Sequence, residues 1–95
     1  MPEGSAWVRF AGDGLVVEGP VKVTALLWRC DKNDETCAIY DGLDAVAGKL
    51  FTELIGDADM VYSFNLGDGV RFDNGVYVDQ TTTLDAITVC FRPVE

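Results

Sequence analysis

The chain has 95 residues, a mass of 10.3 kDa and a formal net charge of −9, so it forms one domain, residues 1–95, with no room for a second core. Hydrophobic residues make up 48% of the chain, a fraction too high for a disordered protein. Because the acidic excess repels phosphate groups, the composition argues against binding to nucleic acid or to an anionic membrane.

The first part of the sequence alternates short strand patterns with turns. In Ala6–Phe10, Trp7 and Arg9 occupy one side of a strand, while Val8 and Phe10 occupy the other. Further strands are predicted over residues 15–17, 21–30 and 37–40, separated by turns or loops at residues 12–14, 19–20 and 31–36.

Residues 49–55, KLFTELI, fit two structures. With a period of 3.6, Leu50, Phe51, Leu54 and Ile55 line one helical stripe together with the preceding Val46, and the composition also favours a helix. With a period of two, the same residues alternate between the two faces of a strand. Periodicity slightly favours the helix, although Gly48 disfavours it, since glycine inside a helix costs about 1 kcal/mol.

The last part of the sequence predicts more strands. Residues 60–66 alternate as a half-buried strand, and GVRFDNGVYVD (residues 69–79) predicts a β-hairpin that turns at Asn74-Gly75, because this dipeptide tolerates the positive φ of a tight turn. A final strand over residues 86–92 ends at Pro93. About eight short strands at regular spacing predict an all-β fold, a small antiparallel β-sandwich or jelly roll.

Residues suited to catalysis or metal binding are few. The chain has no histidine, which removes the commonest general base and metal ligand. The closely spaced carboxylates lie in turn contexts that favour solvation: Asp31, Asp34, Glu35, Asp41 and Asp44. Residues 31–35 begin like a calcium-binding loop, but Thr36 and Gly42 stand where that loop needs glycine and glutamate, so the match fails. Only weak calcium binding between acidic loops stays open. The sequence therefore predicts neither an enzyme nor a cofactor.

The three cysteines, Cys30, Cys37 and Cys90, are an odd number, which argues against a disulfide framework. A bridge between Cys30 and Cys37 stays geometrically open, because they flank one loop between two strands. No apolar run spans a bilayer, and no basic segment followed by an apolar one opens the chain. We therefore expect the chain to remain where it is synthesised, with reduced thiols.

Three stretches carry a resemblance to a known group of proteins. AIYDGLDAVAGKLFTEL (residues 38–54), GDGVRFDNGVYVD (67–79) and ITVCFRP (87–93) resemble small structural proteins of tailed bacteriophages. The shared pattern is a strand ending in Tyr-Asp-Gly, a small-residue loop, a second strand, and later a hairpin of the form Phe-x-Asn/Asp-Gly-hydrophobic-Tyr-Val before a final strand. The resemblance covers about the last two-thirds of the chain. It implies a compact β-sandwich in which residues 49–55 form a strand.

The short stand-alone members of this group resemble capsid decoration, or cement, proteins, which implies a non-enzymatic role on the virion. The implied partners are the major capsid protein or other virion proteins and further copies of the chain, most commonly as a homotrimer. The implied location is the capsid surface, after synthesis in the host cytoplasm. The candidate contact residues are Trp7, Phe10 and Trp28, since aromatic side chains dominate interface energetics; the alternative is that these three belong to the core. Residues 1–5 could form an arm on the shell, or simply a frayed terminus.

Two other functions remain open on the sequence. One is a small carbohydrate- or ligand-binding module, in which exposed Trp and Tyr rings stack on a sugar. The other is a tail or baseplate subunit. A binding module is normally monomeric, whereas a shell protein self-associates, so oligomeric state separates the first alternative from the virion proposal.

Overall fold

The computed structural model describes residues 6–30, 32–80 and 86–94, and the chain is all β within these ranges. The eight strands are, in chain order, β1 (Ala6–Phe10), β2 (Gly14–Glu18), β3 (Val21–Arg29), β4 (Glu35–Asp41), β5 (Lys49–Gly56), β6 (Val61–Phe72), β7 (Gly75–Gln80) and β8 (Ala86–Pro93). No segment in these ranges forms a helix able to cross a bilayer. The all-β prediction is confirmed, whereas the predicted arm at residues 1–5 lies outside the described residues.

The strands form two four-stranded antiparallel sheets packed face to face. Sheet A has the order β1-β8-β3-β6, and sheet B has the order β2-β7-β4-β5. Each strand of the first half therefore pairs with its counterpart counted from the end: β1 with β8, β2 with β7, β3 with β6 and β4 with β5. This nested order is that of one long antiparallel hairpin rolled into two layers, which is a jelly roll. The jelly roll was one of the two folds that the sequence predicted.

Residues 49–55 lie in strand β5, so the helix that periodicity slightly favoured is wrong and the strand is confirmed. The helical stripe would have buried Leu54 and Ile55 together. In the structure Leu54 faces the core, while Ile55 is 60% exposed on the other side of the strand. Pairing with β4 supplies the backbone hydrogen bonds, and this tertiary contact outweighs the local helix propensity.

The hairpin predicted for residues 69–79 is also wrong, because β6 and β7 belong to different sheets. The link at Asp73-Asn74 is a corner between the layers, held by partners far away in sequence. The Asp41 carboxylate accepts hydrogen bonds from the N–H groups of Asp73 (3.1 Å) and Asn74 (2.9 Å). The Asn74 carbonyl accepts from the Gly19 N–H (2.9 Å). These bonds satisfy the corner without a ladder between the two strands.

Strand β6 merges two segments that the sequence separated, with a bulge between them. Asn65 pairs with Ala25 and Val70 pairs with Val23, so residues 66–69 lie opposite a single residue of β3. Gly67 (φ +64°) adopts the left-handed conformation that this detour requires. The triplet Gly67-Asp68-Gly69 is therefore a bulge on an edge strand and not a turn.

The core lies between the two sheets and is formed by alternate residues of both. Its largest fully buried side chains include Leu26 and Ile87 from sheet A and Ile39 and Val78 from sheet B. Phe72 packs edge-on against Phe51 with ring centroids 5.1 Å apart, which joins the layers near the Asp41 corner.

We expect Phe72→Ala to lower the free energy of unfolding by about 3–5 kcal/mol, because it removes the largest fully buried side chain and leaves a cavity. Phe64→Ala is the matched control, since Phe64 lies on the same strand and is 41% exposed; it should cost about 1 kcal/mol. Urea denaturation measures both values. Equal losses in the two variants would contradict this placement of the core.

We expect Asp41→Ala to destabilise the fold by about 1–3 kcal/mol, because it leaves the N–H groups of Asp73 and Asn74 without their charged acceptor. The control is Asp68→Ala, since in the described contacts Asp68 serves through its backbone carbonyl. Thermal unfolding of both variants measures the difference. A loss for Asp68→Ala as large as that for Asp41→Ala would contradict the role of the Asp41 carboxylate.

Candidate interaction surfaces

The two sheets carry opposite charge. The strands of sheet A contain five of the seven Lys and Arg residues of the chain and a single acid, Asp68. The strands of sheet B contain five acids and a single cation, Lys49. The net charge of −9 is therefore an average over a basic layer, an acidic layer and acidic loops.

The outward side of sheet A, here called face A, combines cations with apolar side chains. Cross-strand partners point to the same side of a sheet, so the register places Arg9, Thr88, Leu27 and Ser63 in one outward row. The neighbouring positions on this side include Trp7, Cys90, Arg29 and Val61. Trp7 and Val61 are each 67% exposed. Face A is thus an apolar surface bordered by guanidinium groups.

A second outward row of face A is made of three cations. Lys22 of β3 lies directly between Arg71 of β6 and Arg92 of β8. Like charges opposite one another destabilise a sheet, so this row carries unfavourable repulsion. Arg71 is paired with Asp73, and Arg92 donates to the Asp68 carbonyl of the bulge (2.7 and 3.2 Å). Lys22 makes no ion pair within the described ranges, so the row remains basic.

A shallow groove of about 250 Å³ crosses face A at the end of β3. Its lining is Arg9, Leu27, Trp28, Arg29, Val61, Ala86 and Thr88. Arg29 lies 3.7 Å from the exposed carboxylate of Asp59, while Arg9 has no ion pair among the residues that the structure describes. Two guanidinium groups above apolar side chains form a site suited to a carboxylate, which arginine binds with two parallel hydrogen bonds.

The outward side of sheet B, here called face B, has apolar and acidic rows. One row crosses all four strands as Leu15, Tyr77, Tyr40 and Leu50. The next row contains Asp79, Ala38 and Glu53. Ile55 and Glu18 also point outward on this side. Face B therefore resembles face A in its apolar content but carries the opposite charge.

The loop between β4 and β5, residues 42–48 (GLDAVAG), is the one place in the described ranges where consecutive strands pair within a sheet. Gly42 and Gly48 close its neck so tightly that a Cβ on Gly42 would lie 2.4 Å from the Gly48 Cα. Asp44 holds the tip through the N–H groups of Ala47 (2.7 Å) and Gly48 (3.0 Å).

This ordered loop presents apolar side chains to solvent. Val46 is 98% exposed and Leu43 is 56% exposed. A loop tip is ordinarily polar, so the two exposed aliphatic side chains make this hydrogen-bonded loop a candidate contact surface.

The three aromatic residues that the sequence singled out as contact candidates do not form one patch. Trp7 lies exposed on face A, while Phe10 packs against the core from the inward side of the same strand. Trp28 is 9% exposed and stacks on Tyr62 with ring centroids 5.5 Å apart. Phe10 and Trp28 therefore fit the alternative that these aromatic residues belong to the core. Trp7 remains an exposed candidate for contact with a partner.

The sequence interpretation missed Arg9, Leu27, Val61 and the loop residues Leu43 and Val46. Their only signal in the sequence was an apolar or basic residue at the polar position of an alternating pattern or in a turn. Which of these residues share a face depends on the strand order.

None of the three cysteines is in a disulfide in the structure, and the sequence favoured thiols. Cys30 and Cys37 are fully buried, and Cys90 is half-buried beside Trp7. Burial raises the pKa of the Cys37 thiol to about 12, with smaller contributions from the negative charges of Asp13 and Asp79 and from Cys30. A thiol that holds its proton at neutral pH is a poor nucleophile and a poor metal ligand.

In the acidic loops, side-chain oxygens accept hydrogen bonds from backbone N–H groups. Asp57 accepts from the Asp34 N–H (3.2 Å), and Asn33 accepts from the Ala58 N–H (3.1 Å), so the β3–β4 loop is tied to the β5–β6 turn. Asp31, the first position of the rejected calcium pattern, lies outside the described ranges. Among the residues that are described, no three His, Cys, Asp or Glu side chains come together to hold a metal ion.

Comparison with protein-family models, with curated proteins and with solved structures gives no match to this chain.

We expect the stability of the protein to fall as the pH rises from about 9 towards about 12. The Cys37 thiol ionises near its ordinary value of 9.0 in the unfolded chain, but its pKa is about 12 in the folded chain. The unfolded state therefore binds fewer protons over this range, and alkali favours it. Denaturant titrations at pH 8 and pH 11 should show a larger loss for the wild type than for Cys37→Ala. Equal losses would contradict the raised pKa.

Proposed function

We propose that this protein is a non-enzymatic structural subunit of a tailed-phage virion, a decoration protein that stabilises the head shell through protein–protein contacts. Support comes from the sequence resemblance together with one structural observation, the exposed apolar loop at residues 42–48. This loop lies inside the first stretch that carries the resemblance, residues 38–54.

The loop has the properties of an inserted contact. Its neck and tip are held by two backbone hydrogen bonds and by one from the Ala47 N–H to the Asp44 carboxylate, so little conformational entropy is lost when it docks. Val46 makes little contact with its own chain, as its 98% exposure implies, and burying such a side chain against a partner contributes about 1.5–3 kcal/mol. Many copies on one shell multiply a weak individual contact into strong overall attachment.

The charge distribution and the fold agree with this role. A shell subunit needs a rigid frame, and the nested strand pairing supplies one in 95 residues. The acidic loops keep a densely decorated particle in solution, because their like charges repel neighbouring particles.

A carbohydrate-binding module is the second candidate, and it is favoured by one feature of face B. Tyr40 and Tyr77 are direct cross-strand partners on the outward side, and Asp79 and Glu53 lie in the next row. Adjacent aromatic rings beside carboxylates are a common platform for sugars. Quenching or enhancement of tyrosine fluorescence by a glycan, lost in Tyr77→Ala, would favour this function over the virion role.

We expect the protein to co-sediment with head shells assembled from the major capsid protein of the same source genome. Val46→Asp should lower the affinity about tenfold or more, because it places a charge where an apolar contact forms. Val46→Ile is the matched control and should bind as the wild type does. Both variants should unfold at the wild-type temperature, since the side chain is almost fully exposed.

The decoration role fails if the wild type does not bind these shells at micromolar concentration. If the wild type binds and Val46→Asp binds equally well, the loop is not the contact.

A further inference from the structure

We propose that face A of one copy packs against face B of a second copy, so that the protein self-associates head to tail. This inference rests on the proposed function only for the premise that the chain acts through contacts between proteins. It concerns the two broad faces of the sandwich and not the loop at residues 42–48.

The charges of the two faces are complementary. Face A presents five cations outward: Arg9, Lys22, Arg29, Arg71 and Arg92. Face B presents three outward carboxylates: Glu18, Glu53 and Asp79. A two-fold contact of face A with itself, or of face B with itself, would oppose like charges, which costs several kcal/mol in an interface. The head-to-tail contact is the one arrangement of two copies that pairs opposite charges on these faces.

The apolar side chains of both faces supply the centre of the contact. Trp7, Leu27 and Val61 are exposed on face A, and Leu15, Leu50 and Ile55 are exposed on face B. Interfaces typically place apolar and aromatic residues at the centre and charged residues at the rim. Both faces have this mixture of apolar and charged residues.

The groove on face A provides the specific element of the contact. Arg9 and Arg29 border it, and Arg9 has no ion pair in the described part of its own chain. On face B, Glu53 is exposed in the row next to Tyr40 and Leu50. Seating Glu53 of one copy between Arg9 and Arg29 of the next forms a charge-assisted pair above the apolar floor made by Leu27 and Val61.

The size of the faces and the screening of charge allow this contact. The molecule measures 39 × 31 × 17 Å, and its broad faces are large enough for the roughly 800 Å² per partner that a specific interface buries. Each copy carries a net charge of −9. At physiological salt the Debye length is about 8 Å, shorter than the 17 Å thickness, so charges that meet across the contact outweigh those on the far faces.

A head-to-tail contact closes into a ring or extends as a stack, according to the rotation between neighbours. In either assembly every internal copy uses both faces. A variant that lacks one face can therefore occupy only an end, and this property defines the test.

The experiment uses two double variants at exposed positions of the full chain. Trp7→Ser with Arg9→Gln disables face A, and Leu50→Ser with Glu53→Gln disables face B. Native mass spectrometry and sedimentation velocity at micromolar concentration should show an oligomer for the wild type and a monomer for each double variant alone, because interfaces of this size dissociate at micromolar concentration or below. Mixed in equal amounts, the two variants should form a discrete heterodimer and nothing larger, because together they retain one intact pair of faces.

Several results would overturn the contact: a monomeric wild type, either double variant assembling as the wild type does, or a mixture that stays monomeric. A wild type that remains monomeric but binds polyglutamate or duplex DNA through Arg9 would assign face A to another acidic partner and would also overturn it. Phe64→Ala, outside both patches, should leave the oligomer unchanged, and thermal unfolding shows that each variant is folded. Shell binding is measured separately with Val46→Asp. A chain can therefore fail in the mixing test and still bind shells, or self-associate and bind none.

Discussion

The requirement that the chain's backbone be hydrogen-bonded wherever it passes from one sheet to the other governs the rest of the structure. Apart from β4–β5, consecutive strands lie in different sheets, so almost every link is a corner without a ladder of its own. The N–H groups at a corner have no strand partner, so they bond to water or to an acceptor from elsewhere in the chain. Asp41 provides two such bonds at the β6–β7 corner, and Asp13 accepts from the Gln80 N–H (2.6 Å) on β7. Part of the acidic surplus is therefore structural.

Because side chains hold the corners, each strand lies within one sheet, and its outward positions form rows with those of its neighbours. Inward positions are taken by Val, Leu, Ile and Phe, and the outward positions are left to carry charge and apolar contact groups. The row of Arg92, Lys22 and Arg71 is unfavourable for the isolated sheet, and the exposed Trp7 and Val61 contribute little to the fold. Features that do not help a fold are the ones to assign to contacts with partners.

The two kinds of contact that we propose use different parts of the surface. The β4–β5 loop is apolar, compact and placed at one end of the hairpin, which suits insertion into a shell. The broad faces are larger, charged and opposite in sign, which suits stacking of copies. The chemistry available elsewhere is limited, since Cys37 is buried with a raised pKa and the chain has no histidine.

The sequence by itself determined the strand periods, and with them the all-β class. It could not determine the strand order, because pairing between β1 and β8, or β2 and β7, joins residues that are far apart in the chain. For that reason Asn74-Gly75 was misread as a hairpin: the local turn signal is real, but the Asp41 carboxylate and the Gly19 N–H decide where the chain goes next.

For the same reason, the amino-acid composition could not reveal the candidate surfaces. Every cation of face A could be read in the sequence, yet the net charge of −9 suggested a uniformly acidic protein. Residues 49–55 became a strand only because β4 offered them hydrogen bonds. The tertiary structure alone decided which outward positions share a face, because charge and exposure are properties of neighbours in space, and in a rolled-up hairpin most neighbours are distant in sequence.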